Sequence, residues 1–322
     1  MTLYYLPLEP LENRYTKDWF WQFDVVFRKH NIDFVKLAPD IPNAKTDGKN
    51  FLDWNRTFQY KFEQLRELFR YDLKDDDIIL VADGEFPGLE SLEYYRKMSG
   101  KKFRIYSIWH AGTYDQWDLT YTCNLTRIGA QLEPVLFDIC DKVFVATTFH
   151  KDLIISKRMV NPDRIVVTGL PVDLDNIKKL RGTKKDNDIV FGGRLSFEKG
   201  LDIVKELKER NPSTSVVIAQ ENPRTREEWL NLLARSRILI SPSRQETFGY
   251  CTMEAIGVGT IPITTKGLAF SDYIPNVLQY KLEDFIAGVM YHLETDTQVP
   301  IDIERYHYRE VITKMLEEME LI

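Results

Sequence analysis

Cysteine and histidine are scarce in this chain, three and five residues in 322. Cys123, Cys140 and Cys251 are scattered, with no C-x-x-C pair and no Cys/His spacing. That argues against a disulfide framework and against a zinc site, and for a reduced environment. No two histidines have the spacing of metal ligands, so no metal site is expected. Long apolar runs are also missing. The longest, such as residues 78–82, are of strand length and far short of a membrane span. Residues 2–6 read as a strand, with no basic stretch leading an apolar core, so a secretory signal is not expected and the expected location is the cytoplasm. An excess of positive charge is absent too: 43 basic residues stand against 49 acidic ones, a net charge of −6. The parts before and after Leu170 carry 23 basic against 25 acidic and 20 against 24. Neither is a basic module, which argues against broad attraction to nucleic acid or anionic membrane and leaves only local patches open.

What is present is a globular composition, 43% hydrophobic and 29% charged, long enough for two α/β domains. Short β-branched runs predict strands at 2–6, 32–37, 77–82, 103–109, 142–146 and 164–168. A second series is predicted near 188–191, 214–219, 237–241 and 260–264, with helices near 199–210, 225–235 and 249–257. The clearest amphipathic stretch is 51–70, where Phe51, Trp54, Phe58, Phe62, Leu65 and Phe69 recur at steps of three and four. Such alternation implies parallel sheets covered by helices on both faces. The seam falls around 171–187, giving domains 1–172 and 173–322, with a charged terminal helix from Tyr306 onward that can return to the first domain. The expected fold class is α/β, two doubly wound Rossmann-like domains facing across a cleft, with ligands beyond the carboxyl ends of the strands.

Two stretches carry chemistry. In Ile-Val-Phe-Gly-Gly-Arg-Leu-Ser-Phe-Glu-Lys-Gly (189–200) a buried strand runs into Gly192 and Gly193, followed by Arg194, Ser196 as a helix cap and Lys199 in the first helical turn. Glycines admit a ligand close to the backbone, and a lysine at a helix start points to an anion nearby. The plainer reading is a tight turn with two solvated cations. In Ser-Pro-Ser-Arg-Gln-Glu-Thr-Phe-Gly-Tyr-Cys-Thr-Met-Glu (241–254) a strand ends, a loop carries Glu246, and a helix begins near Phe248 or Gly249 with Glu254 inside it. Unpaired amides at a helix start receive anions, and carboxylates accept from hydroxyls, a set suited to a ligand with phosphates and hydroxyls. A solvated loop acid and a helix-surface acid would be the plainer reading.

Together the stretches resemble the donor-binding half of GT-B glycosyltransferases, especially the retaining family 4. That family shows a G-R-x-x-x-x-K-G turn and a Glu-x7-Glu element, met here by Gly193, Arg194, Lys199, Gly200, Glu246, Phe248, Gly249, Glu254, Ala255, Gly259 and Pro262. The resemblance covers roughly 165–270, and the first half in topology only. It implies that Arg194 and Lys199 hold a diphosphate supported by the amides of Phe248, Gly249 and Tyr250. It further implies that Glu246 binds the transferred sugar, that Glu254 binds the ribose, and that His110, at the end of a predicted strand, lies near the sugar. No cofactor is then required beyond the nucleotide diphosphate sugar, a UDP-sugar in the first instance, and the acceptor is a hydroxyl of a glycan or small metabolite.

The family's glycine-rich loop after the first strand is absent. Glu9, Arg14 and Tyr15 stand in its place, as acceptor contacts or as part of a rigid Pro-bracketed loop. Trp109 and Tyr114, with Trp117 and Tyr121, offer rings for an acceptor or for the core. The opening residues resemble bacteriophage glycosyltransferases, which makes a hydroxymethylated pyrimidine in DNA the alternative acceptor. Arg14, Lys17, Arg28, Lys29, Lys101, Lys102 and Arg104 would be its patch if folding gathers them. An epimerase or phosphorylase on the same scaffold is a rival activity, and a noncatalytic nucleotide-sugar-binding subunit is a rival of a different class. Asp75, Asp76 and Asp77 contain the D-x-D of another transferase class, but precede a strand and read as a solvated turn.

Overall fold

The computed structural model describes residues 1–11, 14–40, 53–85, 88–222 and 224–322. The chain divides into two compact units. The first takes the described residues of Met1–Thr46 and Leu52–Pro171 together with Arg309–Ile322; the second takes Val172–Tyr308.

Unit 1 opens with β1 (Leu3–Leu6), α1 (Tyr15–Lys29) and β2 (Phe34–Lys36). It continues through α2 (Trp54–Leu68), β3 (Ile78–Val81), α3 (Leu89–Ser99) and β4 (Arg104–Ile108). Next come α4 (Leu119–Thr122), α5 (Thr126–Ile139), β5 (Lys142–Val145), α6 (Thr148–Arg158) and β6 (Ile165–Val167). The six strands, all anticipated from the β-branched runs, form one parallel sheet in the order β2-β1-β3-β4-β5-β6. β1 and β3 are buried along their whole length, as the short continuous apolar runs of a sheet covered on both faces require.

The α2 stripe turns out differently. Phe51 lies outside the described residues, and Trp54, Phe58, Phe62 and Phe69 are exposed, while the helix buries Thr57, Tyr60, Gln64, Leu65 and Leu68. Polar anchors set its rotation. The Gln64 amide donates to the carbonyls of Pro7 and Leu37, both at 2.9 Å, and the Thr57 hydroxyl donates to Glu9 at 3.0 Å. A buried amide without these partners would be costly, so hydrogen bonding outweighs the aromatic periodicity. The acidic run has a similar role: Asp77, buried ahead of β3, accepts from the amides of Thr2 and Lys74, each at 2.8 Å.

Unit 2 begins with α7 (Leu174–Ile177), β7 (Asn187–Phe191), α8 (Leu201–Arg210) and β8 (Val216–Ile218). It proceeds through α9 (Arg226–Ala234), β9 (Ser236–Ser241), α10 (Tyr250–Val258), β10 (Ile261–Thr265), β11 (Gln279–Tyr280) and α11 (Phe285–Thr295). Its parallel sheet has the order β11-β10-β9-β7-β8. α12 (Tyr308–Glu318) then joins unit 1 from Arg309 on, where Lys142 pairs with Glu318 at 2.6 Å and Lys314 donates to the Val167 carbonyl at 2.7 Å. Among the described residues no helix is long and apolar enough to cross a membrane.

Each sheet has a switch point where the chain leaves one strand for opposite sides in succession: between β1 and β3 in unit 1, and between β7 and β9 in unit 2. Helices diverge there, and the crevice at the carboxyl ends of the strands is the natural ligand site of such sheets.

Candidate active site

The switch point of unit 2 collects both motif stretches. β7 ends at Phe191 and the chain turns at Gly192 and Gly193, where a Cβ on Gly193 would lie 2.6 Å from the Phe191 ring. Arg194 follows and pairs with Glu198 at 3.2 Å. The expected helix start is displaced. Phe197–Lys199 forms a single 3-10 turn with no side-chain cap, Ser196 bonds Glu198 instead at 2.5 Å, and α8 starts only after Gly200. Gly200 has φ +76°, and a Cβ there would sit 2.2 Å from the Pro242 carbonyl oxygen, so the two motif loops meet backbone to backbone. Arg244 fastens the same seam with a bidentate pair to Asp202 at 2.9 and 2.8 Å.

Lys199 joins the two loops chemically. Its Nζ donates to the Gln245 carbonyl at 2.9 Å, to Gln245 Oε1 at 3.2 Å and to Glu246 Oε2 at 3.1 Å. Three donors meet three acceptors, which fixes the ammonium over the loop and leaves the Glu246 carboxylate 20% exposed beside it. The anion that a lysine at this position called for is thus present in the protein itself. α10 starts at Tyr250, after Gly249 (φ +85°), which has no side chain to cap the helix; a helix start of this kind can receive an oxyanion. Phe248 is buried against Tyr250 and Tyr306, and its carbonyl accepts from the Tyr273 hydroxyl, which sets the backbone ahead of the helix.

Glu254 departs from its expected place at a ribose. It is only 2% exposed, accepts from Trp229 Nε1 at 2.6 Å and pairs with Arg226. Both partners come from α9. Between these groups lies Cys251, its thiol pushed up by burial and then by the charges of Glu254 and Glu246, against the opposing pull of Arg226 and Lys199.

In unit 1, His110 follows β4 and its Nε2 donates to the Ala82 carbonyl at 2.9 Å. Burial lowers the imidazole pKa, against the opposing Asp83 charge, so the ring is neutral at pH 7 with Nδ1 as its acceptor. Burial alone would raise the Asp83 carboxyl, but Lys61, its ion-pair partner, and His110 outweigh it and hold it below the ordinary range. Glu85 is pushed well above that range by burial and by Asp118, Asp83 and Glu133. This end of the sheet is rich in acid.

The acceptor candidates are divided by the fold. Glu9 is buried against Arg56 and Thr57 of α2. Arg14 and Tyr15 stand at the start of α1, with Tyr15 against Trp19, which in turn lies 5.4 Å from the His110 ring. Trp109 and Tyr114 are not acceptor platforms. Trp109 is fully buried with its ring 4.3 Å from Phe137, and Tyr114 is buried with its hydroxyl 2.6 Å from His150 Nε2. Both fill the apolar side of the sheet, where their rings find more contact than in solvent. The basic residues are divided: Arg14 and Lys17 start α1 and Arg28 and Lys29 end it, while Lys101, ahead of β4, and Arg104, its first residue, pair with Asp72 and Glu320. Among the described residues no group of three or more His, Cys, Asp or Glu could hold a metal ion.

His150 yields a pH prediction. Burial lowers its pKa to about 3, from an ordinary 6.5, so the unfolded chain takes up a proton that the folded chain refuses. Stability should then fall as pH drops below about 6.5 and level off below about 3. Urea midpoints for unit 1 at pH 7 and pH 5 should separate less in His150→Gln than in the wild type; equal separation would contradict the assignment.

The sequence matches no protein-family model and no curated protein. Solved structures do match. A sucrose-phosphate synthase from Thermosynechococcus elongatus superposes with TM-score 0.67 at 12% identity, over 100% of this chain and 96% of that one. A trehalose-6-phosphate synthase, described for glycosyl transfer with retention, gives 0.55 at 12% identity over 98% and 86%. A pneumococcal O-GlcNAc transferase, GtfA, in complex with UDP and GlcNAc, gives 0.54 at 15% identity over 80% and 59%. The likeness shows the fold: the chain has the GT-B architecture of these glycosyltransferases.

Sequence reasoning did not single out Asp83, Lys61, Gln245, Arg226 or Trp229. Asp83 had a signal, an acid directly after the apolar run of β3. The others reach their partners only through tertiary structure.

Proposed function

We propose that the protein is a glycosyltransferase that moves a sugar from a nucleotide diphosphate sugar to a hydroxyl acceptor with retention at the anomeric carbon. The observation that carries this reading is the convergence of Arg194, Lys199, Glu246 and the start of α10 at the switch point of unit 2. Cations and helix amides suit a diphosphate, and a lysine-bound carboxylate suits sugar hydroxyls. Retention is supported by the family-4-like Glu246-to-Glu254 spacing and by the trehalose-6-phosphate synthase of like fold; a UDP-linked donor is supported by the UDP complex of GtfA.

As the bond from the anomeric carbon to the diphosphate breaks, negative charge grows on the leaving phosphate. Arg194, Lys199 and the α10 amides neutralise it. A leaving-phosphate oxygen takes the proton of the attacking hydroxyl on the same face, so no separate base is required. The acid-rich carboxyl end of the unit 1 sheet and the pairing of Lys101 and Arg104 with acids favour an uncharged acceptor, a carbohydrate or small hydroxylated metabolite, over DNA.

Glu246→Gln tests the assignment. Titration calorimetry should show nucleoside diphosphate binding within about 3-fold of wild type, while sugar transfer or donor hydrolysis falls about 10-fold or more, as when a hydrogen bond to a charged group is removed. Equal losses for diphosphate and transfer would reject Glu246 as the sugar ligand. Hydrolysis of the donor by the wild type separates an enzyme from a binding subunit.

A further inference from the structure

With a nucleotide diphosphate sugar as donor, the reading on which this inference rests, the nucleoside end is where the structure departs from the pattern that the Glu246-to-Glu254 spacing implies. Glu254 is enclosed, at 2% exposure, with one oxygen on Trp229 Nε1 and the other on Arg226. Each oxygen keeps a second lone pair, but the enclosure gives a ribose hydroxyl no approach unless a neighbour moves aside. Uncovering a buried carboxylate costs more than one hydroxyl–carboxylate hydrogen bond returns.

The two partners, by contrast, reach the surface: Arg226 is 25% exposed and Trp229 half-buried. They are also in the right place. A Cβ on Gly192 would lie 2.4 Å from Trp229 Cη2 and 3.2 Å from Cys251 Sγ. The indole therefore borders both the Gly192 turn that leads to Arg194 and the first turn of α10, the two elements that hold the diphosphate. An indole face suits a nucleobase, and a guanidinium suits the oxygens of the adjoining phosphate.

We propose that Arg226 and Trp229 form the nucleoside wall of the donor site, and that Glu254 is the positioning residue that holds both. Recognition then runs through the base and the phosphates, with little contribution from the ribose 2′ and 3′ hydroxyls. Glu254 supplies a fixed negative charge behind the wall, which keeps the indole N–H and the guanidinium in one orientation.

Calorimetry on the full chain tests this with UDP, GDP and ADP, the 2′-deoxy and 3′-deoxy forms of whichever binds tightest, and inorganic pyrophosphate. Wild type should bind the deoxy forms within about 3-fold of the parent, since no hydrogen bond to a charged group is lost. Trp229→Ala should weaken the nucleoside diphosphate about 10-fold or more, the range for a lost base–aromatic stack, and leave pyrophosphate within about 2-fold, a split that a general loss of structure would not produce. Arg226→Gln should weaken the nucleoside diphosphate similarly. If that variant unfolds because Glu254 is left uncompensated, Arg226→Gln combined with Glu254→Gln removes both charges and should show the same loss. A 10-fold or larger penalty for the deoxy forms in wild type, abolished by Glu254→Gln, would return the ribose to Glu254 and overturn the inference. Unchanged nucleotide affinity in Trp229→Ala would overturn it too. Failure of the wild type to bind any of the three diphosphates would remove the donor reading itself.

Discussion

Lys199→Ala should lower turnover of the donor sugar about 10²-fold or more, the loss found for groups that stabilise charge developing in a transition state. The reason is geometric. Lys199, in the first motif loop, ties it to the second through the Gln245 carbonyl at 2.9 Å and Glu246 at 3.1 Å. Its removal takes charge from the leaving phosphate and releases the loop that presents Glu246. Arg194→Ala should act in the same direction through charge alone. Folding should be little changed, because Lys199, Glu246 and Arg194 all keep contact with water. Steady-state kinetics beside a thermal melt checks this: a fall in kcat with a nearly unchanged melt is expected, and near wild-type turnover in both variants would mean that the site lies elsewhere.

Trp109→Ala should destabilise unit 1 by about 3–5 kcal/mol, the usual result of emptying a buried indole site. The ring is fully enclosed, lies 4.3 Å from Phe137, and is so close beneath Gly84 that a Cβ there would fall 1.9 Å from it. Urea unfolding followed in unit 1 separates the two roles considered for this residue. A core residue lowers the unfolding midpoint, whereas an acceptor platform raises the acceptor KM at unchanged stability; the second outcome would contradict the packing described.

These two residues also show what could be read from the chain. The Arg194-to-Gly200 turn and the Glu246-to-Glu254 spacing are local patterns, and parallel strands place their loops at one switch point, so the sequence was enough to bring them together. The strands were legible for the same reason: a parallel strand covered on both faces must be a short apolar run. Trp109 was ambiguous because an aromatic residue at a strand end serves a core or a ligand equally well until its neighbours are known. The α2 stripe misled because periodicity reports hydrophobicity alone, while buried Gln64 and Thr57 follow hydrogen bonds to Pro7, Leu37 and Glu9, which come from distant parts of the chain. Arg226 and Trp229 left no trace in the pattern, since they meet Glu254 across 28 and 25 residues of sequence.

Release of nucleoside diphosphate from UDP-, GDP- and ADP-linked sugars, measured with the purified protein and with Lys199→Ala side by side, tests the assigned chemistry most directly. Slow hydrolysis of at least one of these donors by the wild type, reduced about 10²-fold or more in the variant, is the predicted result. Hydrolysis at the same rate in both proteins, or no binding and no hydrolysis of any donor by the wild type, would contradict it.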